Sequence, residues 1–595
     1  MGSGSSHGAR DLNKNGRLDP YEDSSRPIEE RVEDLLSQMT LAEKAGMMFH
    51  GMVAMDVGNM VIPGLPTASQ HIADRAMTAF NILGSATARE MADWTNQIQA
   101  EAEQTRLGIP VTFSTDPRHA FSNNPLTALS TSAFSQWPEP IGLAATRDAA
   151  IVEQFGDIAR QEYRAIGIHL ALHPMADLAT EPRWARINGT FGEDAALSAE
   201  MTAAYIRGFQ GESLGAESVA CMTKHFPGGG PQKDGEDPHF NYGKEQVYPG
   251  NNFQYHLIPF EAAFEAGTAQ IMPYYGMPIG IGLEEVGFGF NKQVVTGLLR
   301  EKYGFDGVVC ADWGLITDAY LPGGVLFEAR AWGVEQLSEV ERVKKALDAG
   351  IDQFGGESRP ELVIELVESG QIDEARLDES VRRLLRDKFR LGLFDNPYVD
   401  VEAAAQFAGN PGFRAAGAAA QRKSLVLLKN RDAILPLGGR PKIFAEGVSD
   451  AAIGAHGDRV ATPGEADVAI LRLEAPYDPR NGNFLEAMFH AGDLAFKPDE
   501  EARLLAIMAT VPTIVDIYLD RPAVIPGIAG ACAALIASFG AADEAVLDLI
   551  FGTVQPTGKL PFELPSSTAA VLAQKSDLPY DSDNPLFAFG AGLRY

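Results

Sequence analysis

Residues 304–314 read GFDGVVCADWG, a short apolar run, Val308 to Ala311, that stops on the carboxylate of Asp312 and the indole of Trp313. Four other apolar runs stop in the same manner. IPVTFSTD ends at Asp116, IGIHLALHPMAD at Asp177, VACMTKHF carries Lys224 and His225 at its end, and AQIMPYYG carries Tyr275. Between these runs lie amphipathic stretches at helical spacing, such as RPIEERVEDLLSQMTLAEKAG (26–46) and SEVERVKKALDAG (338–350). Apolar runs alternating with such helices predict a parallel sheet covered by helices. If the strands close into a (β/α)8 barrel, their C-terminal ends meet on one rim, where barrels of this kind keep their sites. A single strand ending in Asp is an ordinary helix cap. Five strands ending in ionisable or polar groups predict a site.

The alternation runs over residues 25–395. Residues 396–420 then turn rich in Ala, Gly and Pro and read as a partly helical linker. Beyond it SLVLLKN (424–430), DVAILRLE (467–474), PTIVDIYLD (512–520) and AALIASFG (533–540) predict strands of a second unit over 421–595, closed by LPFELP and PLFAFGAGLRY. The predicted fold is therefore α/β: a (β/α)8 TIM-like barrel followed by an α/β sandwich domain.

With 49 Lys and Arg against 80 Asp and Glu, the chain carries a formal charge of −31. That balance excludes nucleic acid and anionic membrane as partners, because both demand clustered cations. The three cysteines, Cys221, Cys310 and Cys532, stand at no metal-ligand spacing and make no disulfide framework. The longest apolar stretch, AVIPGIAGACAALIASFGA (523–541), is broken by Pro and Gly and reads as buried helix and strand rather than as a span.

Near the N-terminus, DLNKNGRLDPYE (11–22) has the spacing of a twelve-residue calcium loop. Side-chain oxygens come from Asp11, Asn13, Asn15, Asp19 and Glu22, a main-chain carbonyl comes from Arg17, and Gly16 supplies the sharp turn. Only MGSGSSHGAR precedes it, which reads as a tag remnant that replaced any export signal. With no helix on its N-terminal side the loop predicts a structural calcium ion rather than a calcium sensor. Residues 1–24 are assigned to this remnant and loop, and no cofactor is expected for catalysis.

A rigid carboxylate beside an indole suits a glycosidase nucleophile: Asp312 beneath an anomeric carbon, Trp313 offering a flat apolar face to a sugar ring. TKHFPGGG (223–230) adds donors for hydroxyls at Lys224 and His225 on a loop whose glycines allow tight turns. It matches no phosphate-loop pattern and no metal-ligand spacing.

These motifs, together with VEDLLSQMTLAEKAG, TEPRWARINGTFGED, AWGVE, GLFDNPY, RKSLVLLKN, GKLPFELP and FGAGLRY, resemble glycoside hydrolase family 3, in its β-glucosidase and β-xylosidase-like branch. The resemblance covers residue 25 to the C-terminus. It implies a retaining exo-acting β-glycosidase, in first place a β-glucosidase. The implied nucleophile is Asp312, and Asp116, Arg183, Lys224, His225, Tyr275 and Trp313 are the implied sugar contacts. Asp237-Pro238-His239 echoes the D-S-H of the family's hexosaminidase branch and adds His239 as a sugar contact.

The family's acid/base pattern, GE-x-PY-x-E, breaks down here. LEAPYDPRNGNFLEAMFHAGDLAF (473–496) keeps Glu474 and the PY pair but has Pro479 at the second Glu. Glu486 ranks first as the replacement, ahead of Glu474, Asp478 and Asp493. The expected partner is a carbohydrate or glycoside, and the resemblance leaves a homodimer open. The expected compartment is periplasmic or extracellular, with the cytoplasm not excluded. Rival readings are a β-xylosidase or other β-glycosidase of the family, a phosphorylase, a catalytically silent sugar-binding protein and a calcium-dependent scaffold.

Overall fold

A computed structural model describes residues 10–55, 65–121, 131–321, 325–483 and 485–595. Residues 1–9, within the stretch expected to be a tag remnant, lie outside them. Eight strands among the described residues close a barrel: β1 (Phe49–Ala54), β2 (Ala79–Leu83), β3 (Thr112–Thr115), β4 (Leu170–Ala171), β5 (Ala220–Phe226), β6 (Gln270–Pro273), β7 (Val308–Ala311) and β8 (Gln353–Gly355). Every neighbouring pair is parallel, including β8 against β1, where Phe354 pairs with Phe49. The strands are short, and β3, β5, β6, β7 and β8 are buried at every position. Helices outside the barrel and side chains inside leave no wet face, so these strands read as continuous apolar runs rather than alternating ones.

The connecting helices start where the sequence supplies a cap. Thr40 with Glu43, Thr87 with Glu90 and Ser338 with Glu341 form reciprocal capping boxes, and the amphipathic helices Ala88–Glu103 and Glu339–Ala349 follow from the last two. All five polar strand ends lie at the C-terminal ends of β3 to β7, so the sequence pattern converges on one rim.

The second domain is a mixed sheet built from β9 (Val426–Asn430), β10 (Lys442–Glu446), β11 (Asp458–Arg459), β12 (Val468–Glu474), β13 (Thr513–Tyr518) and β14 (Ala534–Ser538), in the order β9-β14-β13-β12-β10-β11. Only β9 against β14 is antiparallel among these pairs. β10 and β11, which no motif announced, extend the sheet beyond β12. The stretch expected as a linker contains the helix Val401–Phe407 and most of the helix Pro411–Ser424. The 523–541 stretch forms the helix Pro526–Ala531 and then β14, and no helix among the described residues is long and apolar enough to cross a membrane.

Segment 563–580 of the second half returns to the barrel. Asp577 accepts hydrogen bonds from the Gly250 and Asn252 amides at 2.7 and 2.9 Å, and its carbonyl lies 3.1 Å from His256 Nε2. The buried Glu193 accepts from the amides of Glu563 and Tyr580 at 2.7 and 2.9 Å. These contacts fasten the loops that follow β4 and β5.

At the opposite end of the barrel, Asp11 accepts from the amides of Asn15 and Gly16, and Glu22 accepts from those of Leu12, Asn13 and Asp19. Gly16 takes the positive φ, +78°, that the loop's sixth position requires. Tyr21 is fully buried beside the loop and reaches Leu107 O at 3.3 Å, ahead of the start of β3.

Candidate active site

Asp312 follows directly on β7 and is 6% exposed. Its Oδ1 accepts from the Trp313 amide at 2.8 Å, while Oδ2 is buried without any hydrogen-bond partner. Leaving a carboxylate oxygen unsatisfied in a buried place costs several kcal/mol by the usual scale, and at the C-terminal end of a barrel strand such an oxygen is placed where a reacting group can meet it. His225 Nε2 stands 3.9 Å from that oxygen. The Tyr275 phenol donates to Trp313 O at 2.5 Å beside it.

β5 contributes the next layer. Lys224 Nζ pairs with Asp116 Oδ1 at 3.1 Å, joining the ends of β5 and β3, and Asn81 from β2 reaches Asp116 Oδ2 at 3.4 Å. His225 is held through Nδ1 by Asp177 Oδ2 at 2.9 Å, and Asp177 also accepts the amides of His225 and Gly229. Gly229 belongs to the glycine run for a steric reason, since a Cβ there would stand 2.7 Å from both Asp177 Oδ1 and the Tyr274 ring. Burial pushes the Asp177 carboxyl up to about 6 despite the opposing pull of Arg186 and its amide donors. Burial, reinforced by Arg186, keeps the His225 imidazole well below its usual range and therefore neutral.

Arg186 is the main site residue that motif reasoning missed. It is 4% exposed, its Nε and Nη1 have no partner, and Tyr274, Asp237, Asp312 and Asp177 overcome the effect of burial to hold its pKa above the ordinary value. Arg183, the expected arginine, is turned elsewhere: Glu181 clamps it through Nε at 2.9 Å and Nη2 at 3.0 Å. Both lie in TEPRWAR, three residues apart, and Trp184, whose Nε1 donates to Asp237 Oδ2 at 2.9 Å, separates them onto different sides of the loop.

His239 sits at the edge of this group, its ring centroid 4.9 Å from that of Tyr275. Its Nδ1 is 2.6 Å from Asp237 Oδ1. Burial opposes the charge on Asp237, but the hydrogen bonds from His239, with Arg186 nearby, hold that carboxyl well below the usual range, while burial, helped by Arg186 and Arg330, holds the His239 imidazole below its own ordinary value. Among the described residues no side chain occupies His239 Nε2. Arg330, a second residue no motif indicated, hydrogen-bonds His239 O at 3.4 Å and lies 5.8 Å from the Tyr275 ring. Trp313 packs its indole against His50 at 5.3 Å and against Gly355 and Gly356, where a Cβ would come within 2.5 and 2.7 Å of it.

The second domain reaches the rim through the segment 475–495. Phe489 packs tilted against the His239 ring and edge-to-face against Phe240, each at 5.2 Å, and Arg480 forms a bidentate pair with Glu236 at 2.6 and 2.7 Å. Glu486 lies outside the carboxylate cluster: its Oε1 accepts from Tyr242 OH at 2.8 Å, at the partly exposed margin between the domains. Of the other acids considered, Asp478 caps the Asp493 amide at 2.8 Å and pairs with Lys497, while Glu474 ends β12 on the surface. No group of three or more His, Cys, Asp or Glu among the described residues is arranged to hold a metal.

An orphan carboxylate at the end of the seventh barrel strand, donors for hydroxyls around it and a second α/β domain leaning on the same rim define a two-domain glycoside hydrolase. Residues 43–386 match the Glycosyl hydrolase family 3 N terminal domain and residues 445–595 the Glycosyl hydrolase family 3 C-terminal domain; the chain belongs to glycoside hydrolase family 3. A protein of Emericella nidulans named Beta-glucosidase C is 53% identical over 591 residues, covering 98% of this chain and 95% of the relative. The Periplasmic beta-glucosidase/beta-xylosidase of Dickeya chrysanthemi is 44% identical over 609 residues, covering 98% and 93%. Among solved structures, a β-glucosidase of Erythrobacter marinus superposes with a TM-score of 0.80 at 22% identity, over 97% of this chain and 84% of that one, a likeness of fold.

Proposed function

We propose that the protein is a retaining, exo-acting β-glucosidase with Asp312 as nucleophile. The observation that carries this reading is the buried, unpartnered Oδ2 of Asp312, set among Lys224, His225 and Arg186 on the barrel rim. The names of the Emericella and Dickeya relatives support glucose as the sugar, with xylose next. In the reaction Asp312 attacks the anomeric carbon as the bond to the leaving oxygen breaks, and a proton donor completes that oxygen as a hydroxyl. Water, deprotonated by the same group, then cleaves the glycosyl ester and returns the Asp312 carboxylate with the configuration retained.

Two groups can carry that proton. Glu486 rides on a second-domain segment facing the rim, and a retaining carboxylate pair would have to stand about 5 to 5.5 Å apart. His239 is favoured: Asp237 orients its Nδ1, and its ring lies 4.9 Å from that of Tyr275, whose phenol reaches the backbone beside Asp312. The test is a panel of p-nitrophenyl β-glycosides turned over by the parent, Glu486→Ala and His239→Ala, with azide present. The variant lacking the acid/base hydrolyses the activated glucoside slowly and yields β-glucosyl azide, whereas the other yields glucose alone. A parent that turns over no glycoside sinks the β-glucosidase reading.

The loop at 11–22 fits a calcium ion as a structural element. Asn13 and Asn15 both point their amides at Asp19 Oδ2, at 2.6 and 2.7 Å, so three side chains meet at one point, and rotating either amide presents an oxygen there. Bound there, the ion would supply charge that holds these oxygens together, at the barrel end away from Asp312. Calcium at a hundredfold excess over its dissociation constant would add about 2.7 kcal/mol. Chelation is expected to lower the thermal unfolding midpoint by a few degrees while kcat at 25 °C stays unchanged. Loss of activity with no change in the midpoint would contradict this assignment. Export to the periplasm is the compartment supported by the name of the Dickeya relative.

A further inference from the structure

Arg521 is fully buried, follows β13 by a short turn and forms no ion pair among the described residues. Its Nη1 and Nη2 donors go to main-chain carbonyls instead, while Nε is buried without a partner. Nη1 donates to Arg183 O at 2.9 Å and Gly492 O at 3.2 Å. Nη2 donates to Pro476 O at 2.9 Å and to Ala491 O and Asp493 O at 3.2 Å. A guanidinium is expensive to bury, and only its planar fork can serve several carbonyls at once; an ammonium is a single point.

The pattern of acceptors gives this side chain a direction. Pro476 begins the segment that crosses the rim, and Ala491, Gly492 and Asp493 end it. The neighbouring Asp520 holds His490 Nδ1 at 2.5 Å, and the His490 ring stacks on Tyr477 at 3.9 Å with 6° between planes. Two adjacent residues thus fix both ends of the loop that sets Phe489 on His239, Glu486 on Tyr242 and Arg480 on Glu236. The remaining carbonyl, Arg183 O, belongs to the barrel, three residues before Arg186.

Building on the β-glucosidase reading above, we propose that Arg521 is the positioning residue of the two-domain site, setting the second-domain roof and the Arg186 loop of the barrel in register. It touches neither sugar nor reacting atoms. Its loss acts through the groups it places, chiefly the proton donor that a poor leaving group needs and an activated one does not.

The experiment uses the full chain with Arg521→Lys and Arg521→Met. Each is assayed on cellobiose, a poor leaving group, and on 2,4-dinitrophenyl β-glucoside, an activated one, and amide exchange is followed over 476–493. The expected result is a fall of about 10²-fold in kcat/KM for cellobiose, a several-fold smaller fall for the aryl glucoside, and protection lost over 476–493 alone. Equal losses on the two substrates, unchanged kinetics, or loss of protection throughout β12 to β14 would overturn the inference, the last because Arg521 would then hold the domain rather than the roof. A parent that cleaves neither substrate removes the glucosidase reading and this inference with it.

Discussion

Asp312→Asn is expected to lower kcat on every β-glycoside by about 10⁴-fold or more, the scale on which removal of a nucleophile is felt. Asparagine keeps the shape of the side chain and can still accept the Trp313 amide at the place of Oδ1. What disappears is the anionic Oδ2, which has no other partner to lose. The fold should therefore be unaffected, and thermal unfolding should stay within about 1 kcal/mol of the parent, since no hydrogen bond is broken. In the parent, a 2-deoxy-2-fluoroglucoside with a dinitrophenyl leaving group should leave a stable fluoroglucosyl ester on the peptide that contains Asp312. An adduct on another acid, or an Asp312→Asn enzyme retaining a tenth of its activity, would remove Asp312 from the nucleophile's role.

Arg186→Met should produce the second largest effect, about 10³-fold in kcat/KM, with destabilisation of about 3 to 5 kcal/mol, because it strips the shared cation from buried acids. Asp177, Asp237 and Asp312 all act on this guanidinium, and its Nε and Nη1 are kept free of protein partners. The stability loss has a sign in pH. The folded pKa of Asp177 is already raised, from 3.8 to about 6, so this group favours the folded state most at low pH and that contribution is lost as pH rises through about 6. Removing Arg186 raises that pKa further and extends the loss to higher pH. The variant should therefore fall further below the parent in stability at pH 8 than at pH 5. A constant difference across that range would show that Arg186 and Asp177 are not coupled.

The barrel was legible because parallel strands buried on both faces leave runs such as VVCA, and because each of the five rim strands ends on a chemically conspicuous side chain. The register of a turn left no such trace. Arg183 and Arg186 share a motif, and only the local path around Trp184 sends one to Glu181 and the other to the carboxylates. Glu486 looked free to project because a sequence shows that a loop is long, not what it touches; its carboxylate meets Tyr242, brought from the barrel loop. Arg330 acts through a contact with the His239 carbonyl that depends on tertiary packing. β10 was missed because KIFAE, flanked by charge and only alternately buried, lacks the apolar run of its neighbours, and β11 because Asp458–Arg459 is two polar residues long.

The return of segment 563–580 to the barrel affects the order in which a growing chain becomes active. Domains leaving the ribosome fold from the N-terminal side first, and all eight barrel strands are present once Gly355 has been made. The loops after β4 and β5 then still lack Asp577 for the Gly250 and Asn252 amides, and Glu193 still lacks the amides of Glu563 and Tyr580. Translation thus works as a timer: a nascent barrel carries its nucleophile long before segment 563–580 has been made to fasten its rim.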